Sequence, residues 1–259
     1  MEYGGIGNKV WVFSYNHSIK IIMSFFKKTE PLLTTCPFDI DQRISEKAKR
    51  LALRVNYTSG RIELVIPRRM PNKLVERFLY QNQDWIEDKQ KTIPTTVPFS
   101  CGTKIPLFGS DTLIRSNVDT SLKRTKVSLN DDVLLITTYL EDPSQRIQRF
   151  LKKESLARFE VLAHEKAAHI DRGIQSVSIR DTKSRWGSCS HDGRLSLSWR
   201  LIFAPVSAMD YVIAHEVSHL KHMDHSPSFW KTCEKLSLDY EKGKSWMKEH
   251  GYTLMRYGR

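Results

Sequence analysis

The residues whose types and spacing can do chemistry are His215-Glu216-Val217-Ser218-His219, with His225 six residues further on. The preceding run, Tyr211-Val212-Ile213-Ala214, reads as helix, and helical positions four apart lie on one face, one turn apart. Two imidazoles so placed can hold one metal ion, and the carboxylate beside the first can act on water bound to that ion. A second run, His164-Glu165-Lys166-Ala167-Ala168-His169, offers the same residue types as a contrast. There the histidines are five apart, which turns the second about 140° around the helix from the first. It reads as a solvated stretch of helix, so the spacing and not the residue types carries the signal.

A third ligand is needed. His222 falls on the stripe of His215 and His219, but seven residues of straight helix separate its Cα from that of His215 by about 10.5 Å. Three successive turns cannot readily converge on one ion at metal–nitrogen distances of about 2 Å. His225 is better placed, because Met223-Asp224 can turn the chain and Ser226-Pro227 reads as the cap and first residue of a new helix. Glu234 or Glu241 on the following helices is the fallback. His222 then reads as a neighbour of the site or a surface histidine.

The elements that must position these residues follow from periodicity. Leu51, Leu53, Val55 and Tyr57 alternate, Ser59-Gly60 turns, and Ile62, Leu64 and Ile66 alternate back, which predicts a hairpin. Pro71 opens a predicted helix running through about Thr92. Strands are expected at 104–108, 112–115, 126–129 and 133–138, and a long helix from Pro143-Ser144 to about Asp171 with Gly173 as its left-handed cap. Ser176–Arg180 is a short strand, and Arg194–Arg200 alternates with Leu195, Leu197 and Trp199 on one face. Pro205 and Ser207 begin the helix that carries the motif. Three segments result: an extension of open role over 1–30, within which Met23 could be an alternative start; a β-rich α+β region over 31–142; and a metal-dependent catalytic region over 143–259.

Composition bounds the rest. The 259 residues, 40% hydrophobic and 27% charged, are ordinary for a globular protein. Forty-one Lys+Arg against 29 Asp+Glu give a net charge of +12, which suits a polyanionic neighbour such as nucleic acid and says nothing about chemistry. Cys36, Cys101, Cys189 and Cys233 are far apart and form no C-x-x-C pair, which argues against a zinc ribbon or a disulfide scaffold and for a reducing, cytoplasmic setting. Asn16, His17 and Lys20 interrupt the apolar stretch near the start, so no membrane span is expected. Arg185-Trp186-Gly187-Ser188-Cys189-Ser190 reads either as a tight turn anchored by Trp186 or as an active-site rim with Arg185 as a fixed charge. Nothing local supports Cys189 as a nucleophile.

Several of these runs together resemble the YgjP-like metallopeptidase family: Arg180 through Ser190 with its Trp-Gly-Ser-Cys-Ser, Leu201 through Pro205, Asp210 through Leu220, and His225 through Trp230. The likeness extends to Asp239-Tyr240 and Trp246-Met247-Lys248, and weakly back to the first hairpin, over residues 45–251. Val217 departs from the family's usual leucine, and residues 1–30 have no counterpart in it. The resemblance implies an α+β fold whose zincin-like catalytic domain, related in plan to the SprT and Spartan proteases, packs the H-E-x-x-H helix on a small antiparallel or mixed sheet. It implies zinc held by His215, His219 and His225, with Glu216 as acid/base.

The expected activity is metal-assisted hydrolysis of a polypeptide, with Arg185, Tyr211 and His222 as unranked candidates to stabilise the oxyanion. Arg194–Arg200 is a candidate edge for an extended substrate. Two alternatives stand beside it. One is a metal-dependent nucleoside triphosphate hydrolase, an activity linked to some family members, although no P-loop is present. The other is a basic nucleic-acid-associated protein with a structural metal.

Overall fold

The computed structural model describes residues 37–56, 59–93, 95–182 and 184–258. The extension over 1–30, with Met23, lies outside them, as do Cys36 and Tyr57. The chain divides into two compact units, one ending at Thr95 and the other running from Thr96.

In the first unit β1 (Asp41–Ser45), β2 (Ala52–Asn56) and β3 (Arg61–Pro67) form a sheet in the order β1-β3-β2. The hairpin of β2 and β3 is antiparallel as expected, with Gly60 at φ 66° in its turn. Strand β1, parallel to β3, is an addition. Its sequence, Asp-Gln-Arg-Ile-Ser, has one apolar residue and no alternation, so nothing in its pattern marks it. Glu63 on the central strand stitches the sheet, accepting from Arg43 Nε at 2.5 Å and from Arg54 Nε at 2.7 Å. The single helix expected over 71–92 is two, α1 (Asn72–Gln81) and α2 (Gln83–Thr92). Asn82 separates them. Its side-chain amide donates to the Phe78 carbonyl at 2.7 Å, while its backbone N–H turns to Leu79 O at 3.0 Å. A side chain that competes for the i−4 acceptor breaks the ladder at that point.

The second unit opens with a four-stranded sheet, β4 (Lys104–Leu107), β5 (Ser110–Val118), β6 (Lys126–Asn130) and β7 (Val133–Thr138), in the order β4-β5-β7-β6. Helix α3 (Ser144–Ala168) follows and buries Ile147, Leu151, Phe159 and Ala163. The left-handed residue at its end is Asp171, at φ 54°, and not Gly173. Arg172 N–H reaches back to Ala167 O at 3.1 Å, so the turn closes two residues early on an aspartate, which tolerates this conformation.

A second sheet holds β8 (Ser176–Arg180), β9 (Gly187–Cys189) and β10 (Arg194–Ser198) in the order β8-β10-β9. Two expectations change here. Gly187–Cys189, read as a turn or rim, is itself a strand antiparallel to β10. The alternating segment from Arg194 is the middle strand, paired with β8 and β9, and offers no free edge. It also stops at Ser198, where Trp199–Phe203 winds into a 3₁₀ turn. That winding brings the Trp199 and Phe203 rings to 5.3 Å, edge to face, inside the core.

Helix α4 (Val206–Ser218) is buried from Ala208 onward and is packed by α3, by α5 (Pro227–Leu236) and by α6 (Tyr240–His250). It is buried on every side although it carries Asp210, His215, Glu216 and Ser218. Gly243 lets α6 cross it closely, since a Cβ there would stand 2.6 Å from Tyr211 Cβ. The buried pair of Lys166 on α3 and Asp210 on α4, at 2.5 Å, fixes the arrangement. Lys166 also donates to Leu236 O at 2.7 Å, and Asp210 accepts from Leu238 N at 2.7 Å, so α3, α4, the end of α5 and the loop after it meet at one charge pair. No helix among the described residues is long and apolar enough to cross a membrane.

Candidate metal centre

Helix α4 ends at Ser218, and His219 is its C-cap in still-helical conformation, φ −64° and ψ −21°. The four-residue spacing is therefore kept, and the His215 and His219 rings lie 5.1 Å apart. The chain then turns through 221–224, and Ser226 caps α5, its hydroxyl accepting from Phe229 N at 3.4 Å with Pro227 at the first position. This hands His225 back to the helix end, its ring 5.1 Å from that of His215 and 4.9 Å from that of His219. One nitrogen from each of the three lies within 4.8 Å of the others.

One pair of the donor set already has the spacing of a tetrahedral ion. His215 Nε2 and His225 Nε2 are 3.3 Å apart, and two nitrogens on a zinc at about 2.05 Å and a tetrahedral angle stand about 3.3–3.4 Å apart. His219 Nδ1 donates to the His222 carbonyl at 3.1 Å, which fixes the tautomer with Nε2 free for a metal. His222 thus takes part through its backbone, while its side chain lines a separate cavity with Lys221 and Glu234. Among the described residues the cluster is these three histidines; Glu234, Glu241, His164 and His169 are not in it. His169 Nδ1 donates to Glu165 O at 2.7 Å on its own helix.

Aromatic residues that spacing alone did not single out surround the cluster. Phe229, fully buried, sets its ring 4.9, 4.6 and 4.7 Å from those of His215, His219 and His225. Trp230 lies 5.5 Å from the His225 ring at 30°. Their sequence signals were the family resemblance of the run His225 through Trp230 and the helical phase of α5, which puts one face on the core. Tyr211 is fully buried, 6.3 Å from the His215 ring and edge-on to Tyr240 at 5.6 Å.

Glu216 is buried, and its seat is made by a glycine. A Cβ on Gly187 would stand 2.5 Å from both Cγ and Oε1 of Glu216. Burial pushes the Glu216 carboxyl up to about 8, against the pull of the Arg185 charge. Burial, then the charges of His219 and His225, hold His215 down at about 3, and burial also lowers His219. Neutral imidazoles are the ligating form. Cys189 is pushed up to about 12 by burial and by Glu216, so it stays a thiol. The side chain of Arg185 is exposed on the loop leading into β9.

A search of the curated proteins finds no match. Among solved structures, the crystal structure of the metallopeptidase zymogen of Pyrococcus abyssi abylysin is 24% identical over 36% of this chain and 95% of its own, with a TM-score of 0.32. A likeness of that size carries no structural argument. The family described as YgjP-like, metallopeptidase domain, matches residues 49–250, which spans both compact units and every residue of the cluster. The chain belongs to the YgjP-like metallopeptidase family.

Proposed function

We propose that the protein is a zinc-dependent peptidase that hydrolyses polypeptides with Glu216 as acid and base. The observation that carries this reading is the convergence of one nitrogen each from His215, His219 and His225 within 4.8 Å, with those of His215 and His225 at 3.3 Å. When bound, zinc supplies a position at which water is acidified and a carbonyl polarised. A purely structural site is normally closed by a fourth side chain, and among the described residues the group has three.

Glu216 does the proton work. Its carboxylate, held by Gly187 beside the first histidine, accepts the water's proton and passes it to the leaving amine. Burial raises the proton affinity of this carboxyl, which suits a group that takes up a proton and hands it on. The substrate's place is the outer edge of β9, which pairs with β10 on one side and runs beside Glu216 through Gly187. An extended chain added there is bound by main-chain hydrogen bonds and needs no particular sequence at every position.

The test is metal analysis of the purified protein together with an activity comparison on unfolded protein and on a panel of nucleoside triphosphates. The expected result is bound zinc, lost in His225→Ala, and chelator-sensitive cleavage of polypeptide alone. Nucleotide hydrolysis without peptide cleavage would overturn the proposal.

A further inference from the structure

Beside β9 lies a second, smaller feature that the hydrolytic chemistry leaves unused. A cavity of about 190 Å³ is lined by Arg180, Thr182, Arg185, Ser188, Ser196 and Leu197, together with Gly187. Gly187 thus belongs both to this cavity and to the seat of Glu216. Two guanidinium groups and the hydroxyls of Ser188 and Ser196 make a donor-rich lining. Neither Arg180 nor Arg185 forms an ion pair among the described residues, and the acids nearest in sequence are committed elsewhere. Asp181 binds Arg200 Nε at 2.9 Å and has Lys152 at 3.9 Å, and Asp192 pairs with Arg194. Thr182 Oγ1 donates to Arg185 O at 2.6 Å, which ties the loop carrying Arg185 back to the end of β8. Ser188 and Ser196 are register partners on β9 and β10, so the hydroxyl floor rests on paired strands.

We infer that this cavity is a specificity subsite for an acidic side chain, aspartate or glutamate, of the polypeptide cleaved at the metal centre. This rests on the peptidase reading for its place in catalysis. A planar guanidinium matches a carboxylate with two parallel hydrogen bonds, and the neighbouring hydroxyls donate to the remaining lone pairs. Size separates the carboxylate from a larger anion. Pockets for drug-sized ligands run from about 300 to 1,000 Å³, so a cavity of about 190 Å³ takes a carboxylate with its first waters and not a whole nucleotide. Position supplies the rest, because a strand laid along β9 passes Glu216 and this cavity together.

The experiment reads binding directly, so it stands apart from turnover. Full-length, zinc-loaded protein carrying Glu216→Gln, with ¹⁵N-labelled arginine side chains, is titrated with matched peptides. These have a single Glu or a single Gln at each position in turn; inorganic phosphate is a third probe. The expected result is saturable movement of the Arg180 and Arg185 Nε–H signals by a Glu peptide. Its affinity should be about tenfold or more above the Gln counterpart, the size of a hydrogen bond to a charged partner. Arg180→Gln and Arg185→Gln should abolish that ratio, and Arg180→Lys should keep part of it. Equal affinity for Glu and Gln peptides, unmoved arginine signals, or tighter binding of inorganic phosphate than of any Glu peptide would overturn the inference. Glu216-dependent cleavage of the same peptides by the wild-type protein is scored separately, so the peptidase reading can fail while the subsite stands.

Discussion

Gly187 and Glu216 are 29 positions apart in the sequence, yet one has no room for a side chain because the other's carboxyl fills the space. Gly187→Ala should therefore displace Glu216 by about an ångström while leaving the three histidines alone. The expected outcome is unchanged zinc content with kcat lower by on the order of 100-fold; a near-normal kcat on unfolded protein would contradict it. His215 carries a second prediction. The unfolded chain takes up this proton near the ordinary 6.5, whereas the folded, metal-free chain resists until about 3. The unfolded state binds more protons across that window, so the metal-free protein loses stability as pH falls from about 6.5 towards about 3. Urea midpoints at pH 7 and pH 5 measure it, with His215→Gln flattening the dependence. Of the residue-scale features, the spacing of His215 and His219 was legible because helix geometry is local, and His225 because Ser226-Pro227 announces the next helix. The roles of Gly187 and Phe229 were not, since both depend on which elements are brought against α4 in three dimensions.

Among the elements, α4 is the one that others are built to hold. It is held on one side by Lys166–Asp210, a pair with both members satisfied further by Leu236 O and Leu238 N. Removing one partner of a buried pair strands the other, at a cost of about 3–5 kcal/mol. Asp210→Ala is expected to fall in that range by denaturant unfolding, and a loss under about 1 kcal/mol, the scale of exposed pairs, would show the pair to be unimportant. Replacing both residues by apolar ones should recover much of the loss. Legibility at this scale followed local pattern. The hairpin of β2 and β3, the strands of the four-stranded sheet and the long α3 all follow from alternation, turns and helical phase. Three features did not: β1 has no alternation, the break at Asn82 depends on one side-chain hydrogen bond, and β9 is three residues long. The edge expected at Arg194–Arg200 failed for a related reason. Alternation shows that a segment is a strand with one buried face, and says nothing about whether its two sides are already paired.

At the scale of the whole molecule, two units have separate cores, one around Leu53, Leu64, Leu79 and Ile86 and the other around α3 and α4. The three histidines belong entirely to the second. Metal binding should therefore stabilise that unit, by about 2.7 kcal/mol with metal at 100 times its dissociation constant. Hydrogen exchange with and without chelator should show added protection in α4, the turn after it and α5, and none in β1–β3. Equal protection of both units would contradict the placement of the site within one core. The family match over 49–250 takes in β2, β3 and the two helices of the first unit as well as the metal centre, and leaves β1 outside it. The +12 charge remains a statement about partners in general.

The central claim is that one carboxylate, at Glu216, does the proton transfer at a metal held by His215, His219 and His225. Its most direct test is the paired measurement of zinc content and polypeptide turnover in Glu216→Gln, whose amide keeps the shape and loses the base. The account predicts wild-type zinc stoichiometry with turnover reduced to background. Retained turnover with zinc in place would contradict it.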